Sequence, residues 1–166
     1  GFNGSENFAK GNRMGVFPAI ALGWVASEEA FLRDSRVLTW AKVRASVGQV
    51  GNDQIGSQRF VYLSTVREGL GGYSGFGVNF NRGESGIGEG RMANENLTWE
   101  VATKYNLGIE LGFWNALKLN GDVFYERREN IFLNPQVSEV TGLPISSDTK
   151  PYANMGVMEN KGFEIS

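Results

Sequence analysis

Four acidic side chains in the second half of the sequence are the first candidates for chemistry. They are Glu100, Glu110, Asp122 and Glu126. Two carboxylates placed on either side of a sugar can hydrolyse a glycosidic bond, one as the acid and the other as the base or nucleophile. Acidic residues can equally line a hydrated wall and pair with lysines such as Lys104 and Lys118. The sequence favours the wall, and it predicts no catalytic residue.

Other kinds of chemistry are limited by residues that the sequence lacks. It has no histidine and no cysteine, which excludes imidazole zinc sites, thiolate metal sites and Ser-His-Asp catalysis within this chain. The glycine-rich run 86–90 resembles a phosphate-binding loop, but no strand-then-helix pattern surrounds it. The net charge is −2, so no basic surface indicates nucleic acid. The sequence therefore predicts a protein that is not an enzyme, with no metal, no cofactor and no nucleic-acid partner.

Aromatic residues in a long stretch rich in glycine, asparagine and serine, 51–96, are the candidate binding residues. Aromatic rings can pack on the apolar faces of sugars, and binding residues are often found in loops held by a rigid scaffold. The same rings could also pack on one another or on a partner protein. Four of them are predicted to bind substrate or a partner: Tyr62, Tyr73, Phe76 and Phe80.

Residues 97–133 alternate with a period of two, and the strands that this pattern predicts would hold the candidate residues in place. Apolar side chains alternate with polar or small ones in both of its halves, which is the pattern of a two-faced strand. The short link at 114–116 predicts that the halves pair as an antiparallel hairpin. One face is predicted to hold Val101, Tyr105, Leu107, Ile109 and Leu111, and the other Lys104, Asn106, Glu110 and Asp122.

The length of these strands bears on which face meets water. A soluble sandwich turns its apolar face to a core, whereas a membrane barrel turns its apolar face to lipid and its polar face to a lumen. Alternation alone does not separate the two. Strands of about fifteen residues, against a usual ~5–6, favour the membrane barrel. On this interpretation Lys104, Glu110 and Asp122 face the lumen, and Ile109 and its apolar neighbours point outward.

About six strands are predicted along the chain, in an all-β, antiparallel fold. They cover residues 1–8, 16–27, 40–49, 97–113, 117–133 and 154–166. Short connections at 28–39 and 114–116 alternate with long ones at 50–96 and 134–153. A transmembrane barrel has this arrangement, with short periplasmic turns and long extracellular loops. At the short-connection ends, where such a barrel has an aromatic girdle, the sequence places Trp24, Trp40 and Trp114.

Four segments of the sequence carry a resemblance to a known family of membrane proteins. They are FAKGNRMGVFPAIALGWVASEEAFL, KVRASVGQVGNDQIG, NENLTWEVATKYNLGIE and NMGVMENKGFEI. In their order and approximate spacing they resemble the later part of the barrel of SusC/RagA-type TonB-dependent outer-membrane transporters. The blocks 38–52, 96–100 and 160–164 are the most specific. The resemblance covers most of the chain apart from the two long connections.

The resemblance implies more than the residues do by themselves. It implies that residues 1–166 are part of one barrel domain of about 22 strands in the bacterial outer membrane. The plug domain and the TonB box are then expected outside this chain, in a longer protein. The implied partners are a SusD-type surface lipoprotein, the TonB complex and outer-membrane lipid, and the implied function is import of oligosaccharides, other nutrients or peptides.

Two alternative functions stay open on the residues alone. The first is a passive porin or adhesin barrel, which would lack the plug and the TonB box. The second is a soluble carbohydrate-binding β protein, which would fold without detergent. The full sequence of the parent, read for a plug upstream of this region, discriminates among all three functions.

Overall fold

The structure is a computed structural model, and it describes residues 1–56, 59–76, 82–133 and 152–166. The described residues form nine strands and one short 3₁₀ helix, Ala26–Glu28. No helix in this part of the chain is long and apolar enough to cross a membrane. The strands are β1 (Phe2–Gly4), β2 (Met14–Val16), β3 (Ala19–Val25), β4 (Leu38–Asn52), β5 (Val66–Phe76), β6 (Arg82–Glu89), β7 (Glu100–Phe113), β8 (Leu117–Leu133) and β9 (Ala153–Ile165).

Five long strands form one antiparallel sheet in the order β3-β4-β7-β8-β9. Strands β7 and β8 pair continuously from Val101 to Phe113, so the predicted hairpin is confirmed. Strand β4, with 15 residues, pairs with β7 without a slip from Ala41 to Asn52. The all-β, antiparallel fold predicted from the alternation is therefore confirmed.

Because the strands keep their register, side chains at one level form rows across the sheet. The middle of the apolar face is a row of Leu22, Ala45, Leu107, Val123 and Phe163. The next row toward the long connections is Ile20, Val47, Tyr105, Tyr125 and Lys161. The opposite, polar face contains a row of Gly23, Arg44, Gly108, Asp122 and Glu164. The predicted separation onto two faces is thus confirmed for these rows of β7 and β8, whereas Lys161 on β9 is a charged residue on the apolar face.

Two hairpins lie outside the main sheet. Strands β1 and β2 form one of them and β5 and β6 the other, so the strand expected within residues 1–8 does not join the main sheet. The prediction of a long connection without strands over 51–96 is wrong, because β5 and β6 pair between Val66 and Glu89. Strand β5, VREGLGGYSGF, has four glycines, which remove the alternation that marks a strand. The long connection expected at 134–153 lies mostly outside the described residues.

The tryptophans at the short-connection end of the sheet face two directions. Trp24 lies on the apolar face, and its ring centre is 6.4 Å from that of Phe31. Trp114 lies in the exposed turn between β7 and β8. Trp40 follows the alternation of β4 onto the polar face, in register with Gly112. The expectation of a girdle residue is therefore wrong for Trp40, although its level in the sheet is the expected one.

The buried core of the described chain lies at the opposite end of the sheet. It consists of Phe8, Phe17, Ile55, Val61, Leu97 and Trp99. The ring centre of Trp99 lies 5.4 Å from that of Phe8 and 5.3 Å from that of Phe17. A β-carbon at Gly51 would overlap the ring of Phe17, so the glycine allows the ring to lie on the strand. This loop-end core ties together the N-terminal hairpin and the connections that follow β4 and precede β7.

Phe8→Ala should destabilise the loop-end core by about 3–5 kcal/mol, because it removes a fully buried ring and leaves a cavity. Phe8 is 0% exposed, whereas Phe2 in the adjoining hairpin is 65% exposed. Phe2→Ala is the matched control and should change stability by less than about 0.5 kcal/mol. Urea unfolding of the full-length protein, with amide exchange at residues 8–17, measures both. Equal losses from the two variants would contradict the assigned core.

Candidate functional site

An arginine bridges three strands on the polar face. The guanidinium of Arg44 on β4 donates two hydrogen bonds to the carboxylate of Asp122 on β8, at 2.9 and 2.8 Å. Its Nε lies 3.5 Å from the Glu110 carboxylate on β7. Both carboxylates are thus held by one cation, and the two-point contact with Asp122 fixes its orientation.

Gly108 makes this bridge possible. It lies between Arg44 and Asp122 in the same row of the sheet. A β-carbon at this position would lie 2.5 Å from both the Arg44 Nε and an Asp122 oxygen. The arginine therefore crosses β7 over a residue that has no side chain. We refer to Arg44, Glu110 and Asp122 as the Arg44 bridge.

A second group of charges lies on the same face, nearer the loop-end core. Arg128 donates to Glu100 at 3.2 Å and to Glu126 at 2.9 Å. The ammonium of Lys104 lies 3.5 Å from the other oxygen of Glu126. The side chains of Glu100 and Glu126 are only 11% and 17% exposed, so each carboxylate is shielded from water and paired with a cation.

The positions of the predicted site residues can now be stated. Lys104, Glu110 and Asp122 all lie on the polar face and all take part in ion pairs. That this face lines a lumen stays a prediction. All four acidic candidates have a cationic partner within 3.5 Å, an arrangement that fits a hydrated wall better than a pair of catalytic carboxylates.

The cationic partners were only partly evident from the sequence. Lys104 is paired as expected, whereas no ion pair of Lys118 is found in the described part of the chain. The dominant partners are Arg44 and Arg128, which alternation alone does not match to particular acids. Arg44 and Arg128 have even residue numbers, as the four acidic residues do, and this was the signal in the sequence that they share a face with those acids. The pairing itself depends on which strands are neighbours.

The polar face is concave around the Arg44 bridge. A cavity of about 790 Å³ opens there, and its wall includes Trp40, Lys118 and Asn120 beside the bridge. The cavity therefore presents one indole ring among charged and amide groups. Such a surface suits contact with a polar partner or a passing hydrophilic solute.

The predicted binding aromatics are distributed over different parts of the chain. Tyr62 packs edge-on against Phe60 at 6.3 Å between ring centres, and its hydroxyl accepts a hydrogen bond from Arg13 at 3.4 Å. Tyr73 and Phe76 belong to β5, in the hairpin that lies outside the main sheet. Phe80 lies outside the described residues. Tyr62 is thus packed next to the loop-end core, while binding by these four residues stays a prediction.

The fold and the polar face together define a class of protein. Long antiparallel strands carry an apolar face on one side and a network of ion pairs on the other. In a membrane β-barrel the first face meets lipid and the second surrounds the interior. The described sheet is a segment of such a barrel wall.

Comparison with known sequences identifies the family. Residues 1–166 match the family described as TonB dependent receptor-like, beta-barrel, and the chain belongs to that family. It is 34% identical over 169 residues to the TonB-dependent receptor SusC of Bacteroides thetaiotaomicron. It is 33% identical over 166 residues to the TonB-dependent receptor P3 of Formosa agariphila. Each match covers 99% of this chain but only 16% and 15% of the respective relative.

Comparison with solved structures supports the same fold. The RagAB peptide importer in its closed-closed state superposes with a TM-score of 0.74 at 20% identity, over 99% of this chain and 16% of that one. The open-open state gives a TM-score of 0.74 at 20% identity, over 96% of this chain and 16% of that one. At this identity the likeness concerns the fold. The resemblance to SusC/RagA-type transporters expected from the sequence is confirmed.

A charge should be tolerated on the polar face of β7 but not on its apolar face. Ile109→Arg places a cation against lipid and should cost roughly 2–4 kcal/mol if the residue lies near the bilayer midplane. Asn106→Arg, three residues away on the polar face, should cost much less. Folding of the full-length protein into lipid vesicles, followed against urea, measures the difference. Equal costs for the two variants would contradict the assigned faces.

The crossing of Arg44 over Gly108 should appear as a coupling between the two residues. Gly108→Ala is expected to cost about 1–3 kcal/mol, because its methyl group overlaps the guanidinium and the carboxylate. In an Arg44→Ala background the same change should cost far less, since the guanidinium is gone and the Asp122 carboxylate, which it no longer holds, can turn away. Gly121→Ala is the control, because a β-carbon there meets only Ile109 at 3.4 Å. Additive effects of Gly108→Ala and Arg44→Ala in urea unfolding would show that the bridge does not cross at Gly108.

Proposed function

We propose that this chain is part of the barrel wall of an outer-membrane, TonB-dependent transporter that imports oligosaccharides or other nutrients together with a SusD-type surface lipoprotein. The observation that carries the proposal is the 34% identity to SusC across 99% of the chain. The polar face supports it, because a solute passing through a barrel meets charged and hydrogen-bonding groups there. The plug and the TonB box would lie in other parts of the protein.

The substrate class has two candidates, a glycan and a peptide. The resemblance to SusC/RagA-type transporters implies a glycan or a peptide, and the solved structures that share the fold are of a peptide importer. Arg128 and Lys104 balance the charges of Glu100 and Glu126, and the Arg44 bridge leaves one negative charge, because one guanidinium faces two carboxylates. A wall that is nearly neutral in this sector gives no electrostatic preference for a charged substrate, which fits an uncharged oligosaccharide.

The alternative functions differ from this proposal in parts of the protein that can be examined directly. A passive porin or adhesin would need neither a plug nor a lipoprotein partner. A soluble carbohydrate-binding protein would need its apolar face covered by other protein, although Leu22 and Leu107 are 70% and 55% exposed in the described chain. Purification from outer membranes with a lipoprotein encoded beside the gene supports the transporter. A detergent-free monomer would contradict it.

Tyr73 and Phe76, two of the four predicted binding aromatics, allow a test of the binding part of the proposal. In the full-length protein Tyr73→Ala together with Phe76→Ala should weaken binding of an oligosaccharide or of the lipoprotein, because large rings contribute contact area that alanine lacks. Phe163→Ala is the control, since Phe163 is an exposed ring on the apolar face. Calorimetry with the purified complex reports affinity, and a heat-shift assay reports barrel folding. Unchanged affinity for both ligands would remove Tyr73 and Phe76 from the functional account.

A further inference from the structure

Trp40 places an exposed indole ring on the polar face of the sheet. The residue is 41% exposed, and in the described part of the chain the ring contacts of tryptophan involve the other three tryptophans and not this one. Its side chain leaves β4 beside Gly112, where a β-carbon would lie 2.9 Å from the β-carbon of Trp40. An exposed indole keeps apolar surface in contact with water, which is unfavourable unless a ligand or partner covers it. Trp40 therefore indicates a contact that the described chain does not supply.

The cavity beside this indole offers hydrogen-bonding groups of both kinds. It has a volume of about 790 Å³, and its lining includes Glu110, Asn115, Lys118 and Asp122. Carboxylates accept, whereas an ammonium donates and an amide does both. Among the described residues no hydrogen bond of the Lys118 ammonium or of the Asn115 side-chain amide is found. The two cations of the lining, Arg44 and Lys118, equal its two carboxylates in number, so the lining has no net charge.

An indole among balanced polar groups matches the chemistry of a neutral sugar. The face of an aromatic ring is electron-rich, and the C–H bonds on the flat face of a pyranose point partly positive hydrogens toward it. The hydroxyl groups around the sugar ring both donate and accept, as the ammonium, the amide and the carboxylates of the cavity require. A lining without net charge gives a charged ligand no electrostatic advantage.

A peptide fits this place less well than a sugar. Peptides are commonly bound as an added strand at an open sheet edge, through their main-chain hydrogen bonds. The cavity lies over β4, β7 and β8, and β7 is paired with a neighbour on both of its sides. The backbone groups below the cavity are therefore used within the sheet, and only side chains are available to a ligand. A sugar ring, which is recognised by its faces and its hydroxyls, needs no strand edge.

We propose that Trp40 is a stacking platform for one pyranose unit of a neutral glycan at the short-connection end of the lumen. The sugar ring lies on the indole, and its hydroxyls meet Lys118, Asn115 and the carboxylates of the Arg44 bridge. This site deepens the proposed function and rests on it, because the polar face lines a lumen only in a barrel wall. It selects a neutral glycan over a peptide as the solute, at the end of the sheet opposite the loop-end core.

The test uses the full-length protein in phosphatidylcholine nanodiscs, which carry no sugar of their own. Saturation-transfer NMR with methyl β-D-glucopyranoside shows which hydrogens of the ligand approach the protein. The ring hydrogens of this glycoside alternate between its two faces, so each face gives separate signals. Wild-type protein should transfer saturation more strongly to one face than to the other. Equal transfer to both faces would overturn the proposal.

Two control ligands define what the site recognises. Sorbitol carries similar hydroxyls without a ring, and triglycine carries peptide groups without hydroxyls. Both should receive less saturation than the glycoside, because neither presents a flat C–H face to the indole. Transfer to sorbitol or triglycine equal to that for the glycoside would overturn the proposal.

Substitutions at Trp40 separate stacking from simple packing. Trp40→Leu keeps an apolar side chain without the ring and should weaken glycoside binding about fivefold, as expected for the loss of an aromatic contact. Trp40→Phe should keep most of the binding. Trp114→Leu is the control and should change nothing, because Trp114 is 62% exposed in the turn and does not line the cavity. Titration of the saturation-transfer signal measures each affinity.

A different partner for the indole would give a different result. If the ring packs on the plug instead of on a sugar, Trp40→Leu lowers the midpoint of thermal unfolding and leaves glycoside binding unchanged. Unchanged binding in this variant therefore overturns the proposal. Lys118→Met gives an independent check, because it removes the ammonium donor and should also weaken binding.

Failure of the sugar site can be distinguished from failure of the proposed function. Recovery of the full-length protein from outer membranes with a lipoprotein encoded beside its gene tests the function, and that measurement needs no sugar. A folded barrel that is recovered with the lipoprotein but does not bind the glycoside overturns the sugar site alone. A protein that folds without a membrane overturns the proposed function, and the lumen site with it.

Discussion

Pairing of the backbone is the constraint on which the rest of this structure depends. Hydrocarbon offers no partner for an N–H or C=O group, so each strand of a membrane barrel must bond to a neighbour along its whole length. Strands β4 and β7 meet this requirement with continuous pairing from Ala41 to Asn52. A slip of one residue would exchange the faces of a strand, placing Lys42 and Arg44 in lipid. The register of a strand therefore also determines which of its side chains lie on each face.

The rows that follow from this register explain the polar face. Two residues in one row can meet only if the residue between them allows it. Gly108 lies between Arg44 and Asp122, and the guanidinium crosses over it. Gly162 has a similar role beside Phe124. A β-carbon at Gly162 would lie 2.6 Å from Cζ of the Phe124 ring, so the ring fits there because glycine has no side chain. Gly108 and Gly162 thus mark two places where a long side chain of a neighbouring strand lies against the sheet.

Features that depend on alternation within one strand were predicted from the sequence. Contacts that depend on which strands lie side by side were not. The hairpin of β7 and β8 and the two faces of Ile109 and Asn106 follow from a period of two within one strand. The partners of Glu100 and Glu126 do not, because Arg128 reaches Glu100 only once β7 and β8 have adopted their register. Hairpin β5–β6 was missed for another reason: its glycines give no side chains to alternate. The role of the loop aromatics remains a prediction.

The loop-end core gives the long-connection end of the sheet a stability of its own. Phe8, Leu97 and Val61 are almost fully buried although they lie beyond the apolar band of the strands. Their burial fixes the connections from which hairpin β5–β6 extends, and Gly90 N–H donates to the Thr65 carbonyl at 2.8 Å at its base. A loop fixed at its base loses less conformational freedom when it binds. The five-stranded sheet, the ion pairs on its polar face and the loop-end core are thus three separate sources of order in the described chain.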